Sequence, residues 1–204
     1  MSARTRVQRG YTAVELMMAI SIFGIGVASI ISMEKVTAVS NQHAKNLAIA
    51  THIAESWLDM LSTDAVAWNH PATGDPTPSD IGQTAWLQFV KPLQDASGGW
   101  FLPADSAAFD FGPGFDALGN HVNLALNPGN VAFCSNLRVS WINQPTADGN
   151  GLIRAEVRVF WLRDGQTGVQ NMCTVAALAT LNTATAANTY HFVQKNSAVR
   201  ENNK

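Results

Sequence analysis

Charge is scarce in this chain: 14% of its 204 residues are Asp, Glu, Lys or Arg, and the formal net charge is −2. A balance so near neutrality offers no broad field for holding nucleic acid, and no nucleic-acid partner is expected. Cysteine is scarcer still. Cys134 and Cys173 are too few for a disulfide-built scaffold and too far apart for a local metal knuckle, which leaves a single bridge or two free buried thiols. The sequence also lacks a G-x-S-x-G elbow, an H-E-x-x-H pair and a phosphate loop, the usual carriers of hydrolytic, metal-assisted and phosphoryl chemistry. His43, His52, His70, His121 and His191 show no ligand spacing, so no metal, no cofactor and no catalytic residue is expected. The segment Asp148, Gly149, Asn150, Gly151 has the composition of a turn and lacks the regular oxygen ligands and closing Glu of a calcium loop.

Apolar residues are plentiful. They make up 47% of the chain, too many for a disordered protein and enough, at this length, for a sizeable core. Their distribution is uneven. From Leu16 to Met33 no residue carries a formal charge, and a helix of about 20 apolar residues crosses a bilayer core. Arg4, Arg6 and Arg9 precede the run with no acidic residue beside them, which keeps the N-terminus cytoplasmic and sends the remainder outward. A secretory signal peptide shares a basic start and an apolar run. Against it, no A-x-A cleavage site follows promptly, and Glu15 stands at the leading edge. A carboxylate in hydrocarbon costs roughly 2.5 to 3.5 kcal/mol or more, so it calls for a partner. If the chain is cut after Gly10, the new amino group on Tyr11 is such a cation, and the helix N-terminus also favours the negative charge.

The run Arg9, Gly10, Tyr11, Thr12, Ala13, Val14, Glu15, Leu16, Met17 resembles the type IV prepilin signal. In that signal a short basic leader ends in Gly, an aromatic opens the mature chain and Glu stands fifth after the cut. The resemblance covers about nine residues. It implies cleavage after Gly10 by a prepilin peptidase on the cytoplasmic side and N-methylation of Tyr11, although Phe is the more usual first residue and a larger aliphatic is common where Ala13 stands. It implies an α+β fold of the type IV pilin kind, with a long N-terminal helix packed on a C-terminal antiparallel sheet. It also implies an assembly role for Glu15, which would pair with the N-terminal amine of an adjacent subunit.

The functional expectation is a structural subunit most like a PilV-type minor pilin, acting in pilus assembly, priming or at the tip. Expected partners are other pilin or pseudopilin subunits, the prepilin peptidase, the inner membrane and a tip adhesin. The expected location is the bacterial inner membrane, single-pass with the bulk periplasmic, and then the pilus and cell surface. A minor pseudopilin of type II secretion shares every N-terminal feature and is the nearest alternative. An adhesin or DNA-binding head on a pilin anchor is a further one. Loss of the leader leaves 10 basic against 15 acidic residues, a net charge of −5, which argues against DNA uptake.

The leader is residues 1–10 and the apolar half of the helix 11–33. Glu34 to Leu61 contains no Pro or Gly, and Leu47, Ala50, Ala54, Trp57 and Leu61 form one stripe with His52, Glu55 and Asp59 off it. A single helix from Tyr11 to about Leu61 is predicted, on the order of 75 Å long. Gly24, Ala28 and Ser32 lie at i, i+4 and i+8; they serve either close helix packing or a lipid-facing surface on which the glycines are merely tolerated. Residues 62–133 hold seven of the eight prolines and read as a loop-rich variable region. There Phe109, Phe111 and Phe115 are either an exposed binding patch or buried anchors.

From Leu137 the apolar period becomes two. Leu137, Val139, Trp141 and then Ile153, Ala155, Val157, Val159, Trp161 alternate with Arg138, Ser140, Arg154, Glu156 and Arg158, the pattern of antiparallel strands with one buried and one wet face. A third strand is expected over 169–181, completing a sheet across 134–181 that lies on the stripe from Leu47 to Leu61. A bridge between Cys134 and Cys173 would tie this meander in an oxidising periplasm. Residues 182–204 are expected to be a polar tail with a mobile end.

Overall fold

The computed structural model describes residues 12–70, 80–91, 99–146, 149–163, 173–175, 179, 181 and 186–203. Two compact units divide the chain, Met1–Asn46 and Leu47–Lys204.

Helix α1 spans Ala13–Asp64. It begins at Thr12, whose Oγ1 accepts a hydrogen bond from the Glu15 backbone N–H at 3.3 Å. The T-x-x-E spacing is that of a capping box, in which the threonine side chain satisfies one of the donors a helix start leaves open. In the first unit every residue from Thr12 to Lys45 is exposed. The hydroxyls along this stretch turn inward on the helix itself. Ser21 donates to the Met17 carbonyl, Ser29 to Ile25, Ser32 to Ser29 and Thr37 to Met33, all at 2.8 to 2.9 Å. Polar side chains that bond to their own backbone need nothing from the surroundings, which suits an apolar environment.

The second unit opens where α1 becomes one-sided. Ala50, Ile53, Ala54, Trp57 and Leu61 are buried, while His52, Glu55 and Asp59 face out. Leu47 leaves the expected stripe, being 44% exposed, and Ile53 is buried in addition to it. The helix continues three residues past Leu61, and the last of them, Asp64, is buried.

The strands are β1 (Asn69–His70), β2 (Gly114–Phe115), β3 (Phe133–Asn143), β4 (Leu152–Leu162), β5 (Tyr190–Arg200) and β6 (Asn202–Asn203). Strands β2-β3-β4-β5 form one antiparallel sheet in that order, and β1 pairs with β6 in parallel. The alternation read from the sequence places β3 and β4 correctly, in the register Leu137 opposite Val157 and Val139 opposite Ala155.

The third long strand is not at 169–181: it is β5, paired with β4 from Tyr190 opposite Leu162 to Arg200 opposite Leu152. Within 169–181 the described residues 173–175, 179 and 181 are not extended strand. Within the segment expected as a polar tail, Tyr190–Arg200 and Asn202–Asn203 are therefore strands. Between them, Glu201 donates its N–H to the Gly151 carbonyl at 3.0 Å and accepts the Gly151 N–H through Oε2 at 2.7 Å. Gly151 is required there, since a Cβ would run into the buried Trp68 ring.

One sheet face joins the helix stripe in a single core: Leu137, Val139, Ile153, Ala155, Val157, Val159 and Trp161 pack with Ala50, Ile53, Ala54, Trp57 and Leu61. Each large aliphatic fully buried there contributes about 1.5 to 3 kcal/mol. The opposite face is wet only in part: along β5 Phe192, Gln194, Asn196, Ala198 and Arg200 are exposed as the charge alternation implied, whereas β3 and β4 are largely covered. Near one end Cys134, Phe160, Cys173, Leu181 and Tyr190 form a second apolar cluster, and further along Asn136, Ser140, Glu156 and Arg158 are buried polar residues.

The region between helix and sheet is held in three ways. Asp64 accepts the backbone N–H groups of Ala85 at 2.6 Å, Trp86 at 2.9 Å and Leu87 at 3.1 Å. The outer edge of β3 is served by successive short segments: β2 at Phe133 and Cys134, Pro113 at Ser135, Phe101 at Leu137, and Lys91 at Val139 and Trp141. The phenylalanines are anchors, not an exposed patch. The Phe111 ring centre lies 4.8 Å from that of Trp57, Phe115 5.4 Å from Phe111, and Phe109 5.2 Å from Trp86.

Candidate functional site

Two places carry features beyond packing, one in each unit.

The first is the start of α1. Its apolar side chains point outward on every side, from Leu16, Met17 and Met18 through Ile20, Ile22, Phe23 and Ile25 to Ile30, Ile31 and Met33. A water-facing surface of that kind is unfavourable by about 25 cal/mol per Å². The helix is long and apolar enough to cross a membrane. Glu15 is the one acidic residue in its first turn, and the next charge is Glu34. The bond to Thr12 Oγ1 uses only the Glu15 backbone N–H. Gly24, Ala28 and Ser32 are all exposed on the helix surface, and a Cβ added at Gly24 or Gly26 would meet nothing within 4 Å. Gly10 and Tyr11, the expected processing residues, lie outside the described residues.

The second is the sheet face turned away from α1. Glu156 is buried and accepts from Arg138 Nε, from Arg154 Nη2 at 3.0 Å and from Gln194 Nε2 at 3.3 Å. Strand register dictates this convergence: Arg138 stands directly opposite Glu156, Ser140 opposite Arg154 and Asn136 opposite Arg158, so all six share one side of the sheet. Trp100, brought to β3 by the Phe101–Leu137 bonds, lays its ring 4.3 Å from the Arg158 guanidinium carbon and 5.1 Å from that of Arg138. Loss of water around Arg158, reinforced by the like charge of Arg138, lowers its pKa to about 10. Asn136 is wholly buried, and among the described residues neither its amide atoms nor the buried Ser140 hydroxyl find a hydrogen-bond partner. The chemistry this face offers is guanidinium binding of carboxylate or phosphate oxygens.

Cys134 and Cys173 are bonded to each other, with their Cα atoms 5.4 Å apart. The bond holds the chain after β4 against the start of β3. Around the variable loop, His121 Nε2 lies 2.9 Å from Asp105 Oδ1 and its ring stacks on Phe111. His43 and His52 are exposed on α1, and His191 stacks against Trp161. Asp116 closes a turn on Asn120 and Leu118; the Asn120 side-chain amide is the main cause of a pKa below the usual carboxylate value. Of the turn Asp148 to Gly151, Asp148 lies outside the described residues, and Gly149 bridges back to Thr146. Among the described residues no three His, Cys, Asp or Glu side chains gather as metal ligands would.

The chain matches no protein-family model, no curated protein and no solved structure.

Proposed function

We propose that this protein is a minor type IV pilin-like subunit, anchored through α1 in the inner membrane and built into a fibre by that same helix. The observation that carries the reading is the stretch from Thr12 to Lys45, apolar in its first half and exposed on every side, opened by a capped first turn that holds Glu15. A helix of that kind is at rest in lipid and equally at rest in a bundle of its own type, which is what a subunit passing from membrane to fibre requires. The prepilin-like run from Arg9 to Met17 and a disulfide-tied α+β head support the same reading. In this account Glu15 meets the amine of a neighbouring chain opening at Tyr11, a pairing strengthened by low dielectric.

The test is mass spectrometry of the N-terminus in membrane and sheared surface fractions, from cells with and without prepilin peptidase. The expected result is a methylated chain starting at Tyr11, present in sheared fibres and absent without the peptidase. An intact leader, or a cut near Met33, overturns the reading. Glu15→Ala should be processed normally and enter fibres poorly. Loss of exoprotein secretion with fibres intact in a deletion strain would assign the subunit to a secretion pseudopilus instead.

A further inference from the structure

The corner of the sheet where β4 begins and β5 ends carries an unclaimed positive surface. Arg154 stands opposite Ala198 and Leu152 opposite Arg200, so Arg154, Leu152, Ala198 and Arg200 share one side, with two guanidinium-bearing positions set around a small and an apolar residue. The Arg154 side chain is 41% exposed and gives Nη2 to Glu156, which leaves its fork with donors for a further acceptor. Arg200 is exposed, and its side chain makes no ion pair or hydrogen bond with any described residue. Two buried carboxylates lie nearby, Glu156 holding Arg138, Arg154 and Gln194 and Glu201 accepting from Gly151; against them stand Arg138, Arg154, Arg158 and Arg200, so the surroundings of this corner stay positive. A chain with a net charge of −2 thus presents two adjacent outward arginines on an open sheet face.

We infer that this corner docks a carboxylate-bearing acidic segment of a partner protein. Charge complementarity selects the partner. Arginine forks bind carboxylates through paired, geometrically matched bonds, and Leu152 between them supplies apolar contact for the partner's backbone or an aliphatic side chain.

The experiment uses the full chain in a neutral detergent and a fluorescein-labelled hexaglutamate peptide, followed by fluorescence anisotropy at low salt, about 20 mM, where exposed charge is little screened. The wild type should bind, and Arg200→Gln should weaken binding about threefold, the scale of one exposed ion pair. Arg154→Gln with Arg200→Gln should weaken it about tenfold. Lys45→Gln removes the same charge from an exposed helical site and should leave binding unchanged. Because the Arg200 side chain makes no hydrogen bond or ion pair with any described residue, its variant keeps the test open even if loss of Arg154 disturbs the fold. Absence of wild-type binding, an unaltered double variant, or equal loss in Lys45→Gln overturns the proposal. So does Arg200-dependent binding of glycerol phosphate in place of the peptide, which would make the occupant a lipid head group.

Discussion

Asp64 ends helix α1 and, through three backbone N–H groups, holds the chain at Ala85, Trp86 and Leu87. It is buried, so water does not compete for those donors, and each bond is charge-assisted. In Asp64→Asn the best amide orientation keeps the oxygen toward Trp86 and Leu87. It then turns an NH2 group onto the Ala85 N–H, which stands 2.6 Å from Oδ1 in the wild type. One charged hydrogen bond is replaced by two opposed donors, a loss of about 2 to 3 kcal/mol. Asp64→Ala strands all three N–H groups, at about 1 to 3 kcal/mol for each buried donor, so a total of about 4 kcal/mol or more is expected. Urea unfolding of the detergent-solubilised chain, followed by tryptophan fluorescence, reads both variants, since Trp86 and Trp57 sit in contact at this anchor. The order should be wild type, then Asn, then Ala. Stabilities for both variants within about 0.5 kcal/mol of wild type, inside the range of ordinary surface changes, would refute the anchoring role.

Replacing Cys134 and Cys173 together by Ala should cost about 4 kcal/mol by the chain-entropy treatment for a separation of 39 residues; reductant should lower the midpoint of the wild type and leave the double variant unmoved. Asp116 has a folded pKa below its ordinary 3.8, so the turn it closes is supported above that value and loses support as the pH falls below it. Amide protection at Leu118 and Asn120, taken relative to the intrinsic exchange rate at each pH, should fall below about pH 4 in the wild type, and Asp116→Asn should flatten that dependence.

Much of the fold was legible because much of it rests on periodicity. The steps of three and four from Ala50 to Leu61 and the alternation from Leu137 to Trp161 report a helix stripe and two strands directly, and both meet in one core. Strand β5 was not legible. Its buried residues are Tyr190 and Val199, with Gln194, Asn196, Ser197 and Ala198 exposed between them, so the segment reads as polar linker; pairing with β4, not composition, makes it a strand. The charged face was misread for a related reason. Alternating Arg and Glu look solvated in sequence, yet Glu156 is buried because its donors come from both neighbouring strands, a relation that only register reveals. Asp64 was hidden by distance, its partners lying 21 to 23 residues further on. The cap residue Thr12, three positions before Glu15, was in plain view in the sequence.

The piecemeal edge of β3 has a consequence for how this chain can change. Lys91, Phe101 and Pro113 to Phe115 each meet the strand at fixed points, and among the described residues in the intervals between them none pairs with β3. Residues added within those intervals leave every sheet contact in register, and lengthening a loop costs only about 0.6 kcal/mol for each doubling. An open strand edge invites pairing with other chains, and here it stays occupied whatever the loops become. The variable region can therefore acquire new surface by insertion without re-solving the fold, so that evolution or design can rewrite what the head displays while the scaffold beneath stays fixed.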